Sequence, residues 1–217
     1  MDIQILPSLL AADLGDLAAE IRRAEAAGGD ALHLDIMDGH FVPNLSFAPT
    51  VVALARRVAP SFYRHVHLML THPDRYVEVF AAAGAQTIQI HVESACDVAA
   101  TLARIRALGV RPALVLNPET PVARVYPYLD ACDEVLVMTV RPGYGGQAFI
   151  TDCLPKLTAL RRRCPQLDLM VDGGVNAETA VAAVRAGANQ LVAGSYLFKT
   201  PDMAGTIRDL RARIAHD

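Results

Sequence analysis

The sequence predicts an α/β protein, a single-domain (β/α)8 TIM barrel spanning residues 1–217. Three observations lead there. Short apolar runs of strand character recur eight times along the chain. The segments between them have helical spacing, and no linker or low-complexity stretch divides them. Polar residues of catalytic type gather at the C-terminal ends of the runs, the face where barrel enzymes carry their chemistry.

In order, the predicted strands are 3–7 (IQILP), 31–37 (ALHLDIM), 64–70 (RHVHLML), 86–92 (QTIQIHV), 112–117 (PALVLN), 134–140 (EVLVMTV), 168–172 (DLMVD) and 190–194 (QLVAG). Between them, Val98, Leu102 and Ile105 form one helical stripe, and Ile207, Leu210 and Ile214 form another near the C-terminus. Gly28, Gly84, Gly109 and Gly187 stand just before strands, where a helix ends in a left-handed cap. An open doubly wound sheet fits less well, because no G-x-G-x-x-G follows the first strand. At 217 residues the loops must be brief, and only 38–49 reads as long.

Composition narrows the function. Hydrophobic residues make up 53% and charged residues 20%, which supplies a core and argues against disorder. A formal net charge of −3 gives no basic surface for nucleic acid or an anionic membrane. An anionic substrate must therefore be held by local devices. Cys96, Cys132, Cys153 and Cys164 form no C-x-x-C pair and read as reduced thiols. The start, MDIQILPSLL, has no basic region of secretory type. No apolar run approaches the roughly 18 residues of a spanning helix. The expectation is a cytoplasmic protein.

The stretch HLDIMDGHFVPN, residues 33–44, focuses the question. Side chains alternate along a strand, so His33, Asp35 and Met37 share one face, opposite Leu34 and Ile36. His67 and Met69 on the third strand and Asp172 on the seventh reach the same end. Two imidazoles and two carboxylates suit one borderline divalent ion: zinc first, with iron(II), manganese or cobalt as alternatives. His91 reads as a structural strand histidine. Met37, Met69 and Met138 could roof a reactive intermediate without protonating it, whereas Met170 and Met203 read as gap-fillers.

PGYGGQ at 142–147, Gly173-Gly174 and Gly194-Ser195 can turn backbone N–H groups toward a phosphate without adding positive charge. Two carboxylates beside a Lewis-acidic metal suit proton abstraction next to a carbonyl, with an enediolate as the intermediate. One aspartate removes the proton and the other returns it to the opposite face. A Schiff-base route needs a buried strand lysine, and the only lysines are Lys156 and Lys199.

The motifs PSLLAAD (7–13), HLDIMDGHFVPNLSF (33–47), HVHLM (65–69), LNPETP (116–121), VMTVRPGYGGQ (137–147), VDGGVN (171–176) and AGS (193–195) together resemble the ribulose-phosphate 3-epimerase family over essentially the full length. The resemblance implies a small-molecule sugar-phosphate substrate, with D-ribulose 5-phosphate and D-xylulose 5-phosphate interconverted. It implies Asp35 and Asp172 as the acid/base pair, and His33, Asp35, His67 and Asp172 as ligands of one divalent metal. It implies Ser8, His67, Gly143, Tyr144, Gly145, Gly146, Asp172, Gly173, Gly174, Gly194 and Ser195 as substrate contacts. Relatives associate as dimers or hexamers, so a homo-oligomer is expected. LNPETP and VMTV also look like allulose-6-phosphate 3-epimerases. Arg141 departs from the family's usual asparagine, Tyr144 from its usual phenylalanine, and Arg141 reads as a solvated turn residue. A carbon–carbon lyase would want a strand-end lysine, and a non-catalytic sugar-phosphate sensor would be expected to lose one of the two aspartates.

Overall fold

A computed structural model describes residues 2–216. Eight parallel strands follow one another: β1 (Gln4–Pro7), β2 (Ala31–Met37), β3 (Tyr63–Met69), β4 (Thr87–His91), β5 (Arg111–Leu116), β6 (Glu134–Met138), β7 (Asp168–Asp172) and β8 (Gln190–Ala193). From β2 to β8 each strand pairs with the next, and β8 pairs with β1. Closure comes at β1 and β2. Ser8 bridges His33 in parallel, the Asp30 carboxylate accepts from the Ile5 N–H at 2.6 Å, and the Asp30 N–H donates to the Ile5 carbonyl at 3.0 Å. The ring is the (β/α)8 barrel the eight runs predict.

Helices α1 (Leu17–Ala26), α2 (Pro49–Val58), α3 (Val77–Ala83), α4 (Val98–Ala107), α5 (Leu154–Arg163) and α6 (Ala177–Ala186) cover the outside, followed by the short α7 (Ser195–Phe198) and α8 (Met203–His216). Asp16, Asp97 and Asn176 cap α1, α4 and α6 by accepting backbone N–H groups. Strand alternation splits the core into two layers. Leu34, Leu68, Ile90, Leu114, Val137, Val171 and Leu191 face outward and pack with Ile21, Val52, Phe80, Leu102 and Leu157 from the helices. Leu6, Val115, Leu136, Met138, Met170 and Val192 fill the barrel interior. Each buried leucine or isoleucine contributes roughly 1.5–3 kcal/mol of apolar burial. The lower interior is polar. There Glu134 is fully buried, accepts from Gln89 Nε2 at 2.5 Å and lies 3.3 Å from His65 Nδ1. Burying that carboxylate requires such partners.

Two connections differ from the sequence reading. β5 is followed by two 3₁₀ turns, Val122–Arg124 and Tyr126–Tyr128, in place of an α-helix. Pro118, Pro121 and Pro127 remove the N–H groups a helix would need. The run expected as strand over 134–140 leaves the sheet at Met138, so the connection after β6, 139–153, is longer than the one after β2, 38–48. The four cysteines are free thiols. Among the described residues, no helix is long and apolar enough to cross a membrane.

Candidate active site

Parallel pairing brings the predicted side chains to one level. β2 and β3 run in register with Asp35 opposite His67 and Met37 opposite Met69, and β6 and β7 set Met138 opposite Asp172. Asp35 Oδ1 lies 3.0 Å from His67 Nδ1 and 3.2 Å from His33 Nε2. Asp172 Oδ2 is 3.8 Å from both imidazoles. Ser8 Oγ donates to Asp35 Oδ2 at 2.7 Å. His33 and His67 have no solvent-exposed surface, and Asp35 has almost none.

The loops that hold these strands are tied by short polar side chains. Ser46 Oγ donates to the Asp35 carbonyl at 2.5 Å and accepts from the Met37 N–H at 3.0 Å. Asp38 accepts three backbone N–H groups, from His40 and Phe41 in its own loop and from Thr71 after β3. Thr139 Oγ1 lies 2.9 Å from the Asp172 carbonyl and 2.6 Å from that of Gly173, and so anchors the strand end that carries Asp172. Gly173 has φ +115°, and a Cβ there would lie 2.3 Å from Val140 Cγ2, so no other residue fits that turn.

Electrostatics separate the two carboxyls. For Asp35 the largest effect is burial, which opposes ionisation; the interaction with His33 comes next and, with the carboxylate's other contacts, outweighs burial and holds the carboxyl well below the usual carboxylate range. For Asp172 burial is again largest, the Asp35 charge adds to it, His33 opposes it, and the pKa is pushed up to about 7. Burial also pushes His67 down to about 4, despite its contact with Asp35. Near neutral pH, Asp35 is a base without a proton, and Asp172 is poised between acid and base.

The donors fit a metal ion. One ligand atom from each of His33, Asp35, His67 and Asp172 lies within 4.8 Å of all the others, so the group could hold a metal. Bonds of about 2.1 Å at ordinary angles place neighbouring donors about 3.0–3.4 Å apart. His33 is fully buried, its Nδ1 has no hydrogen-bond partner, and its Nε2, 3.2 Å from Asp35 Oδ1 without the alignment of a good hydrogen bond, is aimed into the cluster.

Above the cluster opens a cavity lined by Ser8, Asp35, Met37, Met69, Met138 and Asp172 on its floor and walls. Gly143, Tyr144, Gly145, Gly146, Gly173, Gly174, Gly194 and Ser195 line its rim. His33 and His67 lie beneath it and do not line it. Tyr144 Oη donates to the Pro43 carbonyl and Asn44 Nδ2 to the Gly143 carbonyl, both at 2.7 Å, so the two long loops meet over the opening. Arg141 is largely exposed and pairs with Glu119 at 2.6 Å, as a solvated turn residue would.

The whole chain can now be set beside known proteins. The family model described as the ribulose-phosphate 3-epimerase family matches residues 4–198. The chain belongs to the ribulose-phosphate 3-epimerase family. It is an epimerase, and the resemblance carried by its motifs holds over nearly its whole length. Ribulose-phosphate 3-epimerase of Bacillus subtilis is 43% identical over 96% of this chain and 98% of its own. The enzyme of that name from Escherichia coli is 41% identical over 97% and 96%. Among solved structures, 3-hexulose-6-phosphate synthase of Salmonella typhimurium superposes with a TM-score of 0.75 at 15% identity, covering 99% of both chains. A mutant tryptophan synthase α-subunit of Pyrococcus furiosus superposes with a TM-score of 0.73 at 16% identity and full coverage of both. These two establish the barrel alone.

Sequence reasoning missed Ser46 and Thr139, and it gave His91 and Glu93 no part in the site. Ser46 and Thr139 are hydroxyl residues just beyond buried strands, where free backbone groups need partners, and that signal was available. Glu93 and His91 needed the fold.

Proposed function

We propose that this protein epimerises D-ribulose 5-phosphate and D-xylulose 5-phosphate at C3 by proton transfer between two aspartates. The observation that carries this is the pairing of Asp35 and Asp172, two carboxyls on different strands with opposite pKa displacements beneath one cavity. Asp35 takes the C3 proton from one face of the sugar. Asp172 delivers a proton to the opposite face of the resulting enediolate, and the reverse reaction exchanges their roles. Ser8 steadies the Asp35 carboxylate. Met37, Met69 and Met138 cover the planar intermediate with side chains that cannot protonate it and exclude water. Backbone N–H groups of Gly143–Gly146, Gly173–Gly174 and Gly194–Ser195 receive the phosphate, which explains how an acidic chain holds an anion.

His33, Asp35, His67 and Asp172 would hold one divalent ion. Two imidazoles and two carboxylates favour zinc, with iron(II), manganese and cobalt as alternatives. Bound there, the ion would supply Lewis-acid stabilisation of the negative charge that develops next to the carbonyl when the C3 proton leaves.

The test is proton NMR of D-ribulose 5-phosphate with the purified chain in D2O, with D-allulose 6-phosphate run alongside. Loss of the C3 proton signal, with growth of C3-deuterated xylulose 5-phosphate, is the expected result. Faster exchange on the six-carbon sugar would transfer the reading to that substrate. An intact C3 proton on both sugars, with metal supplied, would leave a sugar-phosphate-binding protein and overturn the proton-transfer reading.

A further inference from the structure

We infer that Glu93 and His91 are positioning residues that set which nitrogen of His67 carries its proton, and thereby prepare the metal site. This rests on the reading of His67 as a ligand. The contacts run in a line from β5's loop to the cluster. Glu93 Oε1 accepts the Asn117 N–H at 2.9 Å and the Thr120 hydroxyl. Its other oxygen lies 3.2 Å from His91 Nδ1. His91 Nε2 lies 2.8 Å from His67 Nε2. His67 Nδ1 lies 3.0 Å from Asp35 Oδ1. Both imidazoles are completely buried, so water supplies neither a donor nor an acceptor to their ring nitrogens.

Counting protons assigns the tautomers. A carboxylate only accepts, so the nitrogen facing Glu93 carries hydrogen, and His91 is the Nδ1–H tautomer. Its Nε2 is then a bare acceptor. A nitrogen–nitrogen contact of 2.8 Å requires one proton between the rings, and His67 Nε2 must supply it. His67 Nδ1 is left with a lone pair aimed into the cluster beside Asp35 Oδ1, where a cation satisfies both. Phe41 packs against His91 with the two rings tilted by 51° and their centroids 4.6 Å apart, which limits rotation of the imidazole. Metal-ligating histidines generally have such an outer partner, and its loss costs 10–100-fold in metal affinity. Here the partner is a second histidine fixed in turn by a carboxylate, one step longer than the usual arrangement.

The variant that tests this is Glu93→Gln. The amide oxygen must stay toward the Asn117 N–H and the Thr120 hydroxyl, so the amide NH2 faces His91 Nδ1 and needs an acceptor there. The tautomer of His91 reverses, His67 accepts at Nε2, and its Nδ1 gains the hydrogen that blocks a metal. Zinc affinity by chelator competition is expected to fall about 10–100-fold, with the circular dichroism spectrum unchanged. Glu93→Asp keeps a carboxylate and should retain most of the affinity. In the zinc-loaded parent, nitrogen-15 NMR of labelled histidines should find His67 protonated at Nε2 only. Unchanged zinc affinity in folded Glu93→Gln would overturn the inference while leaving the metal site standing, and a proton on His67 Nδ1 in the loaded parent would remove His67 from the ligands and the inference with it. If Glu93→Gln does not fold, the same spectra decide at His91: a hydrogen at Nδ1 only is expected, and one at Nε2 would overturn the inference. A parent chain that binds no zinc would sink the ligand reading and this inference together.

Discussion

Ser8 Oγ lies 2.7 Å from Asp35 Oδ2 across the β1–β2 junction, at the place where the barrel closes. One residue therefore joins the closure of the barrel to the proposed proton-transfer site. Its backbone bridges His33, and its side chain donates to a buried carboxylate. A hydrogen bond to a charged group contributes about 1.5–3 kcal/mol, and a buried acceptor deprived of it retains the desolvation cost.

Ser8→Ala should therefore lower both stability and turnover. A loss of about 1.5–3 kcal/mol is expected in urea unfolding. Turnover should fall roughly tenfold or more as the Asp35 carboxylate loses its alignment, since each 1.36 kcal/mol of barrier is a factor of ten. The pair of measurements is decisive: an unchanged kcat beside a lowered urea midpoint would confine Ser8 to barrel closure.

Asp172→Asn should abolish epimerisation while the barrel remains folded. The substitution is nearly isosteric, and it replaces a carboxyl that burial, with Asp35, already keeps less charged than usual, its pKa pushed up to about 7. Removing one acid/base partner costs on the order of 10²–10⁴-fold in rate. Asp35→Asn should do the same. The informative readout is isotope exchange. With Asp35 intact, the Asp172→Asn variant can still take a proton from one face, so slow deuterium wash-in at C3 without inversion is expected. Full epimerase activity in either variant would remove that aspartate from the mechanism.

Tyr144→Phe probes the contact between the two long loops. The lost bond, Tyr144 Oη to the Pro43 carbonyl at 2.7 Å, is exposed, so stability should change by under about 1 kcal/mol. If the contact holds the glycine loop over the phosphate, KM for the sugar phosphate should rise several-fold with kcat little changed. Equal KM values in parent and variant would mean that the glycine loop closes without this tether.

The barrel was legible because its strands are short, apolar and separated by helices of plain periodicity. Asp35 and Asp172 stood out for a related reason: a carboxylate on the inward face of an apolar strand has no cheap structural use. What escaped was set by groups distant in sequence. His91 alone on β4 looks like a core histidine. Only the β3–β4 pairing puts it 2.8 Å from His67, and only the β5 loop, through Asn117 and Thr120, fixes Glu93 behind it. The missing helix after β5 was signalled by three prolines, but apolar residues on either side, such as Val122 and Leu129, masked the break.

Asp38 gives a prediction in pH. Burial, its largest single influence, raises its pKa, but the backbone N–H groups of Thr71, Phe41 and His40 outweigh burial and hold the carboxyl below its ordinary value. A depressed folded-state pKa means that the unfolded chain binds the proton more readily. The stabilisation is therefore complete above the unfolded value, near pH 4 for an aspartate, and is lost as pH falls through the lower folded value. The parent should exceed Asp38→Asn in urea midpoint at pH 7, and the difference should shrink steadily below pH 4. The side chain is only partly buried, so the gap will be modest and partly screened by salt. A gap that is constant from pH 7 to pH 3 would assign the effect to the loop's geometry and to the hydrogen bond lost at one oxygen, because Asp38 accepts His40 and Phe41 at Oδ1 and Thr71 at Oδ2, whereas asparagine has one acceptor oxygen and cannot titrate.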